Sequence, residues 1–331
     1  MTDLYPLRFE PILKERIWGG DSLKRHFGKK TEDDKKVGDS WEISGLSGDV
    51  SIVSNGFLAG NSLEELIEVY MGDLTGDIIY EKFGNEFPLL IKLLDARDIL
   101  SIQVHPGNEL AKERHNALGK SEMWYILDAQ PEAKIYSGFS RPINKEIFLE
   151  QLNKNAIEEI INKEIVKSGQ SYYIPAGLVH SIGAGIVLAE IQQTSDITYR
   201  VFDWNRKRKD GEPRELNIDL ALDSIDFSAT GKSIIEKEAT LNQTKNLLEC
   251  QYFCTNVIFF NQPLVKDYNF IDSFVIYICT DGEFIINWDN KNELVLKGET
   301  ILLPAMIKDV ALIPKGEAKL LEVFIKEQIK F

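Results

Sequence analysis

Apolar and polar positions alternate in short blocks along most of this chain, and only a few stretches switch to helical spacing. Residues 5–60 read as short strands and turns, broken by a glycine pair and by Gly-Asp steps. Ser62-Leu63-Glu64-Glu65 is a capping-box pattern, and Leu63, Leu66, Ile67 and Tyr70 follow at helical spacing. An apolar run from Phe87 to Leu94 carries one charge, Lys92. Asn108 to Leu118 reads as a helix stopped by Gly119, Lys145 to Lys163 as a helical pair, and Leu216 to Ile225 as a short helix. Met123 to Leu127 and the stretch from Ile165 to Phe202, rich in Ile, Val, Tyr and Thr, have strand character. From about residue 240 short strands recur, with turns at Asn261-Gln262-Pro263, Asp281-Gly282 and Asn290-Lys291-Asn292. Such regular spacing of strands and turns marks a sandwich or barrel.

A faint internal repeat divides the chain. Gly169-x5-Pro175-Ala176 aligns with Gly298-x5-Pro304-Ala305, and the run from Glu122 to Leu127 aligns with the run from Ser273 to Ile278. Where the first copy has His180 the second has Asp309, and Gln103-x-His105 has no counterpart. The expectation is a mainly β protein with helical insertions, built as two β-sandwich units of which only the first binds metal. The boundary falls between 1–235 and 236–331.

Composition narrows the functional classes. The chain has 331 residues, 44% of them hydrophobic, enough for two or three domain-sized units with a sizeable core. A net charge of -14 argues against nucleic-acid or anionic-membrane partners, and an anionic substrate needs a local basic cluster working against that field. No cationic–apolar leader pattern opens the chain, and no apolar run approaches bilayer length, so the expected location is the cytoplasm. The odd set Cys250, Cys254 and Cys279 argues against a disulfide framework, and these residues read as buried small hydrophobes. No P-loop, dinucleotide fingerprint or Cys-x-x-Cys pair is present.

The remaining chemistry is concentrated. Side chains two apart on a strand share a face, so Gln103 and His105 leave one strand together. Glu122 opens the next apolar run, and His180 follows the turn Pro175-x-Gly177. One carboxylate, two imidazoles and one amide make a metal site with room for substrate. Lys120 shares the face of Glu122 if the strand has begun by then, and Glu190 and Gln192 share another. Blander readings exist for each: hydrogen-bonded strand histidines, an edge-strand or snorkelling Lys92, and a Glu190–Arg200 ion pair far from the metal. His26 and His115 sit among charged residues and read as surface groups. The run from Arg206 to Lys209, beside Asp210-Gly211-Glu212, reads as a solvated loop, with a phosphate-facing lid as the alternative.

The string Gly169-x5-Pro175-x-Gly177-x2-His180 resembles the second half of the cupin signature, except that Ala184 replaces its final Asn. Gln103-x-His105, with a helix-sized insertion before Glu122, resembles the type I phosphomannose isomerases in their short bacterial form. Trp18-Gly19-Gly20, the segment from Gly38 to Ser44, Phe87 to Lys92, Ser101 to Pro106, Gly119 to Tyr125 and Ile197 to Trp204 are similar to that family in order as well as kind. Asn217 departs from it, standing where the family commonly has His.

The resemblance implies two cupin-type jelly-roll units, a bicupin, with one zinc ion per chain held by Gln103, His105, Glu122 and His180. It also implies a sugar-phosphate pocket lined by Lys92, Lys120, Glu190 and Arg200. The implied reaction moves a proton between C1 and C2 of mannose 6-phosphate and fructose 6-phosphate through an enediol. Arg200 is then the expected electrophile, Lys120 a proton carrier or phosphate contact, and Glu190 a candidate base. The group that moves the carbon proton and the oligomeric state stay open. An Fe(II) cupin oxygenase and a noncatalytic sugar-binding bicupin are the competing readings.

Overall fold

The computed structural model describes residues 4–30, 35–208 and 210–326. Up to residue 235 its elements are β1 (Ile12–Gly20), α1 (Ser22–Phe27), β2 (Val37–Ile43), α2 (Leu63–Thr75), α3 (Asp77–Phe83), β3 (Leu89–Ala96), β4 (Ile102–Val104), α4 (Asn108–His115), β5 (Glu122–Ala129), β6 (Lys134–Phe139), α5 (Lys145–Asn153), β7 (Ile161–Ile165), β8 (Ser171–Ile174), β9 (His180–Ile182), β10 (Ile186–Gln193), β11 (Tyr199–Phe202), α6 (Ile218–Ser224) and β12 (Ile234–Ile235). Strands alone follow: β13 (Gln243–Glu249), β14 (Cys254–Phe260), β15 (Leu264–Asp267), β16 (Val275–Asp281), β17 (Glu283–Trp288), β18 (Lys291–Leu296), β19 (Thr300–Leu303), β20 (Asp309–Pro314) and β21 (Ala318–Phe324). No helix among the described residues is long and apolar enough to cross a membrane.

The strands form antiparallel sheets in two pairs. The first pair is a seven-stranded sheet, β1-β2-β3-β10-β5-β8-β12, and a five-stranded sheet, β11-β4-β9-β6-β7. The second pair is a five-stranded sheet, β13-β14-β21-β16-β19, and a four-stranded sheet, β15-β20-β17-β18.

Strand alternation assigns each face its layer. From β3, β10 and β5, Leu94, Ile186, Leu188, Trp124 and Ile126 point inward and meet Ile135 and Ile182 of the five-stranded sheet. Their neighbours Ile91, Leu93, Ala189, Ile191, Met123 and Tyr125 point the other way, onto Val257, Ile276, Ile278, Leu321 and Val323 of the second pair. The central strands β3 and β10 are therefore buried along their whole length, which explains the near-continuous apolar run before Lys92. Helices α5 and α6 close the outer face of β4 and β11 through Phe148 and Ala221.

Nine strands of the first pair have counterparts in the second in the same order, β2-β3-β10-β5-β8 with β13-β14-β21-β16-β19 and β4-β9-β6-β7 with β15-β20-β17-β18, while β1, β11 and β12 have none. Gly169 N–H donates to Ile126 O and Ile126 N–H to Gln170 O, while Gly298 N–H donates to Cys279 O and Cys279 N–H to Glu299 O. Ile126 thus corresponds to Cys279 and Trp124 to Tyr277, so aligning Glu122 with Ser273 is two residues out, and Val275 holds the place of Glu122. Across the next strands Glu190 corresponds to Glu322 and Lys92 to Asn256. Asp309, aligned with His180, is exposed; the inward residue there is Val310, paired with Lys266 as His180 is with Gln103. In the second pair Glu322 is held by Asn256 (2.6 Å), Tyr268 (2.5 Å) and Lys266 (2.8 Å), and the Tyr268 and Tyr277 hydroxyls are hydrogen-bonded to each other.

Several local expectations change. The capping box at Ser62 and Glu65 is formed, and α2 follows it. Helix α4 stops at His115, because Asn116 turns left-handed (φ 50°), not at Gly119. Gly119 is required for close approach, since a Cβ there would sit 2.6 Å from Asn108 N. The second half of the proposed helical pair is only the 3₁₀ turn Ile157–Glu159 before β7; Asn155 (φ 54°) interrupts the helix, and Ile157, Ile160 and Ile161 are drawn into the layer under α5. The short helices α1 and α3 lie in segments too brief to show helical periodicity. All three cysteines are free, with Cys250 only half-buried.

Candidate metal centre

Strand β4 is three residues long, yet it sets the centre. Ile102 and Val104 face the helical layer, which turns Ser101, Gln103 and His105 inward. The turn before β9 is fixed by Gly177 (φ +87°), whose N–H donates to His105 O at 2.9 Å. His180 then pairs directly with Gln103 across the sheet, and Gln103 Nε2 lies 3.3 Å from His180 Nε2. From the facing sheet Glu122 puts Oε2 3.6 Å from His105 Nε2 and Oε1 3.5 Å from His180 Nε2.

Both imidazoles are oriented by main chain. His105 Nδ1 lies 2.8 Å from Ile197 O and His180 Nδ1 2.8 Å from Leu178 O. Nδ1 donates to a carbonyl in each case, which leaves the Nε2 lone pairs turned to the centre. His105 and His180 are 1% exposed and Glu122 is fully buried. His105 Nε2 and both Glu122 oxygens lack a well-formed hydrogen bond among the described residues. Buried polar atoms are rarely left in that state, and one ligand atom from each residue lies within 4.8 Å of the others. The donor set therefore fits a metal ion of borderline character.

The electrostatics agree. Burial drives His180 down to about 4 and His105 well below its usual value, with Lys120 adding to both, so each imidazole is neutral as a ligand must be. Burial, reinforced by Glu190 and opposed by Lys120, raises Glu122 to about 7.

The other predicted residues converge on this centre. Lys120 Nζ lies 3.0 Å from Glu122 Oε2 and 3.8 Å from Glu190 Oε1. Burial lowers the Lys120 ammonium, but Glu122 and Glu190 outweigh it and raise its pKa. Lys92 is neither an edge nor a snorkelling lysine. It is buried on a central strand and donates to Glu190 Oε1 (3.0 Å) and Gln192 Oε1 (2.6 Å). Trp124 Nε1–H donates to the other Glu190 oxygen at 3.1 Å. Burial pushes the Glu190 carboxyl up, but Lys92 and Lys120 overcome it and bring it down to about 2.

Arg200 does not pair with Glu190. It sits on the facing sheet, in register with Gln103, and makes no salt bridge among the described residues. Its Nε donates to Ser101 Oγ (3.3 Å) and Nη1 to Glu215 O (3.0 Å). Asn217 braces the same strand, accepting from Arg200 N–H at 3.1 Å.

Lys92, Ser101, Gln103, Lys120, Glu190 and Arg200 line a cleft of about 510 Å³ whose walls add Trp18, Trp41, Arg16, Asp39, Thr198 and Arg214. Sequence reasoning passed over these wall residues. Ser101 was within reach, because the Gln103–His105 alternation extended one step back lands on it. Trp18 and Trp41 lay in recognised segments with no metal-ligand chemistry to single them out. His26 and His115 are exposed as expected. Arg206 is not a solvated loop residue: it pairs with Asp203 at 2.6 Å, as does Arg214, whereas Lys207 and Arg208 are exposed and Lys209 lies outside the described residues.

Comparison with known proteins agrees with this geometry. Residues 7–136 match the family model for the phosphomannose isomerase type I catalytic domain, a stretch that carries Lys92, Gln103, His105, Lys120 and Glu122. The mannose-6-phosphate isomerase ManA of Bacillus subtilis is 38% identical over 258 residues, 75% of this chain and 77% of its own. YvyI of the same organism is 32% identical over 321 residues, 96% of this chain and 98% of its own. The crystal structure of mannose 6-phosphate isomerase from Bacillus subtilis superposes with a TM-score of 0.85 at 29% identity, covering 97% of this chain and 100% of that one. The chain belongs to the type I phosphomannose isomerases, a family of aldose–ketose isomerase enzymes.

Proposed function

We propose that this protein interconverts mannose 6-phosphate and fructose 6-phosphate, using one zinc ion held by Gln103, His105, Glu122 and His180. The observation that carries the reading is the buried cluster of His105 Nε2, His180 Nε2 and the Glu122 carboxylate, turned to one another beside a cation-rich cleft. Zinc, when bound, polarises the oxygens on C1 and C2 of the open-chain sugar. The protein's own groups do the rest. Arg200, always charged and without a salt-bridge partner among the described residues, stabilises the developing oxyanion of the enediol. Lys120 holds a proton at Nζ, and Glu190 is kept ionised; between them they supply the acid and the base that pass the proton between C1 and C2. Lys92 anchors Glu190 and adds positive charge for the phosphorylated substrate.

The matched strand orders support a bicupin with two jelly-roll units, residues 1–235 catalytic and residues 236–331 degenerate. Only the first unit is proposed to bind metal, because Val275 and Val310 hold the places of Glu122 and His180. Three free thiols fit a reducing compartment, the cytoplasm.

The test is conversion of mannose 6-phosphate by purified protein, before chelation, after it, and after zinc is restored. Turnover that disappears and returns supports the reading. Folded, zinc-loaded protein without turnover rejects it in favour of an oxygenase or a sugar-binding protein, which oxygen consumption and calorimetry with the sugar phosphate then separate.

A further inference from the structure

One register row crosses the floor of the cleft: Trp41 beside Lys92, Lys92 beside Glu190, Glu190 beside Trp124. The two tryptophans flank the ion pair from opposite sides, but their N–H groups fare differently. Trp124 Nε1–H donates to Glu190, whereas Trp41 Nε1–H has no partner among the described residues. Trp41 lines the cleft and is 3% exposed. Its ring lies under two ammonium groups, Lys14 Nζ at 4.8 Å and Lys92 Nζ at 5.3 Å. An ammonium group only donates, so neither lysine satisfies an indole N–H. The donor therefore lacks an acceptor among the described residues, and the two cations favour an electron-rich oxygen there.

We infer that Trp41 is a substrate-positioning residue whose Nε1–H donates to an oxygen of the bound sugar phosphate. The inference rests on the isomerase reading above and adds a contact remote from the candidate metal ligands. Trp41→Phe keeps an aromatic face for both lysines and removes the donor. KM for mannose 6-phosphate should rise about ten-fold while kcat stays within about three-fold, the pattern of a binding contact used equally in ground and transition states. Zinc content and melting temperature should match wild type. Competitive inhibition by inorganic phosphate names the acceptor: weakened inhibition assigns a phosphoryl oxygen, unchanged inhibition a sugar hydroxyl, and either agrees with the inference. An unchanged KM in the folded variant overturns it. If the phenylalanine variant does not fold, 3-benzothienylalanine at position 41, which replaces the N–H by sulfur at constant shape, is judged by the same KM criterion. Wild-type protein without turnover overturns the isomerase reading and this inference with it, whereas active wild type with an indifferent variant overturns the inference alone.

Discussion

Lys92 and Glu190 face each other across paired central strands, joined by a 3.0 Å ion pair with an indole ring on either side. Both are almost fully buried, so each charge depends on the other. Removing one partner of such a pair strands a charge. Lys92→Met should lower folding stability by about 3 kcal/mol, and Lys92→Met with Glu190→Gln should recover more than half of it. Denaturant titration of the four proteins measures this; simple addition of the two single losses would show the pair uncoupled.

Metal affinity should depend on pH through Glu122. In the metal-free centre its carboxyl titrates at about 7 and His180 at about 4. Above pH 7 the carboxylate is already ionised and affinity should be level. Below pH 7 each bound zinc must expel a proton from Glu122, so affinity should fall about ten-fold per pH unit. The imidazoles, neutral through this range, should add nothing until pH approaches 4. Competition with a chromophoric chelator between pH 5.5 and 8 would reveal the slope, and a flat profile would contradict the raised carboxyl.

Arg200→Ala should cut kcat by about 10²-fold or more, as loss of an oxyanion stabiliser does. Zinc content should stay near one ion per chain, because the Arg200 side chain meets β4 through Ser101 Oγ while its pairing with Gln103 is through the main chain, which alanine keeps. Steady-state kinetics with metal analysis on one preparation checks both halves. Full turnover would remove Arg200 from the reaction.

Glu322 offers an internal comparison. It occupies the place of Glu190, but Lys266 supplies its cation from the facing sheet. Lys266→Met should destabilise the chain by about 2 kcal/mol or more and leave the zinc stoichiometry unchanged. A second equivalent of tightly bound zinc in wild type would refute the contrast between the halves.

The clustering of His105, Glu122 and His180 beside Gln103 was legible in the sequence because strand chemistry is local. Gln103 and His105 share a face by alternation alone, and Pro175-x-Gly177 marks the turn that aims His180. The edge-strand alternative for Lys92 stayed open because a run of residues does not disclose that its strand lies at the centre of a sheet buried on both faces. The partnering of Glu190 with Lys92 rather than Arg200 is set by strand order, which brings β3 beside β10 and leaves β11 on the other sheet. The two-residue error in aligning the repeat has the same origin. Apolar runs slide past one another in sequence by even steps without penalty, and only the hydrogen bonds at Ile126 and Cys279 fix the register.

The seven-stranded sheet leans on the second pair through Ile91, Leu93, Ala189 and Ile191, the immediate neighbours of Lys92 and Glu190. The back wall of the cleft is thus the outer wall of the second sheet pair. Drift in that pair is constrained by its packing: a cavity opened at Ile276 or Val323 would be felt one strand-thickness away, at Lys92 and Glu190. Deleting the second pair would leave the seven-stranded sheet with an oily back exposed to water.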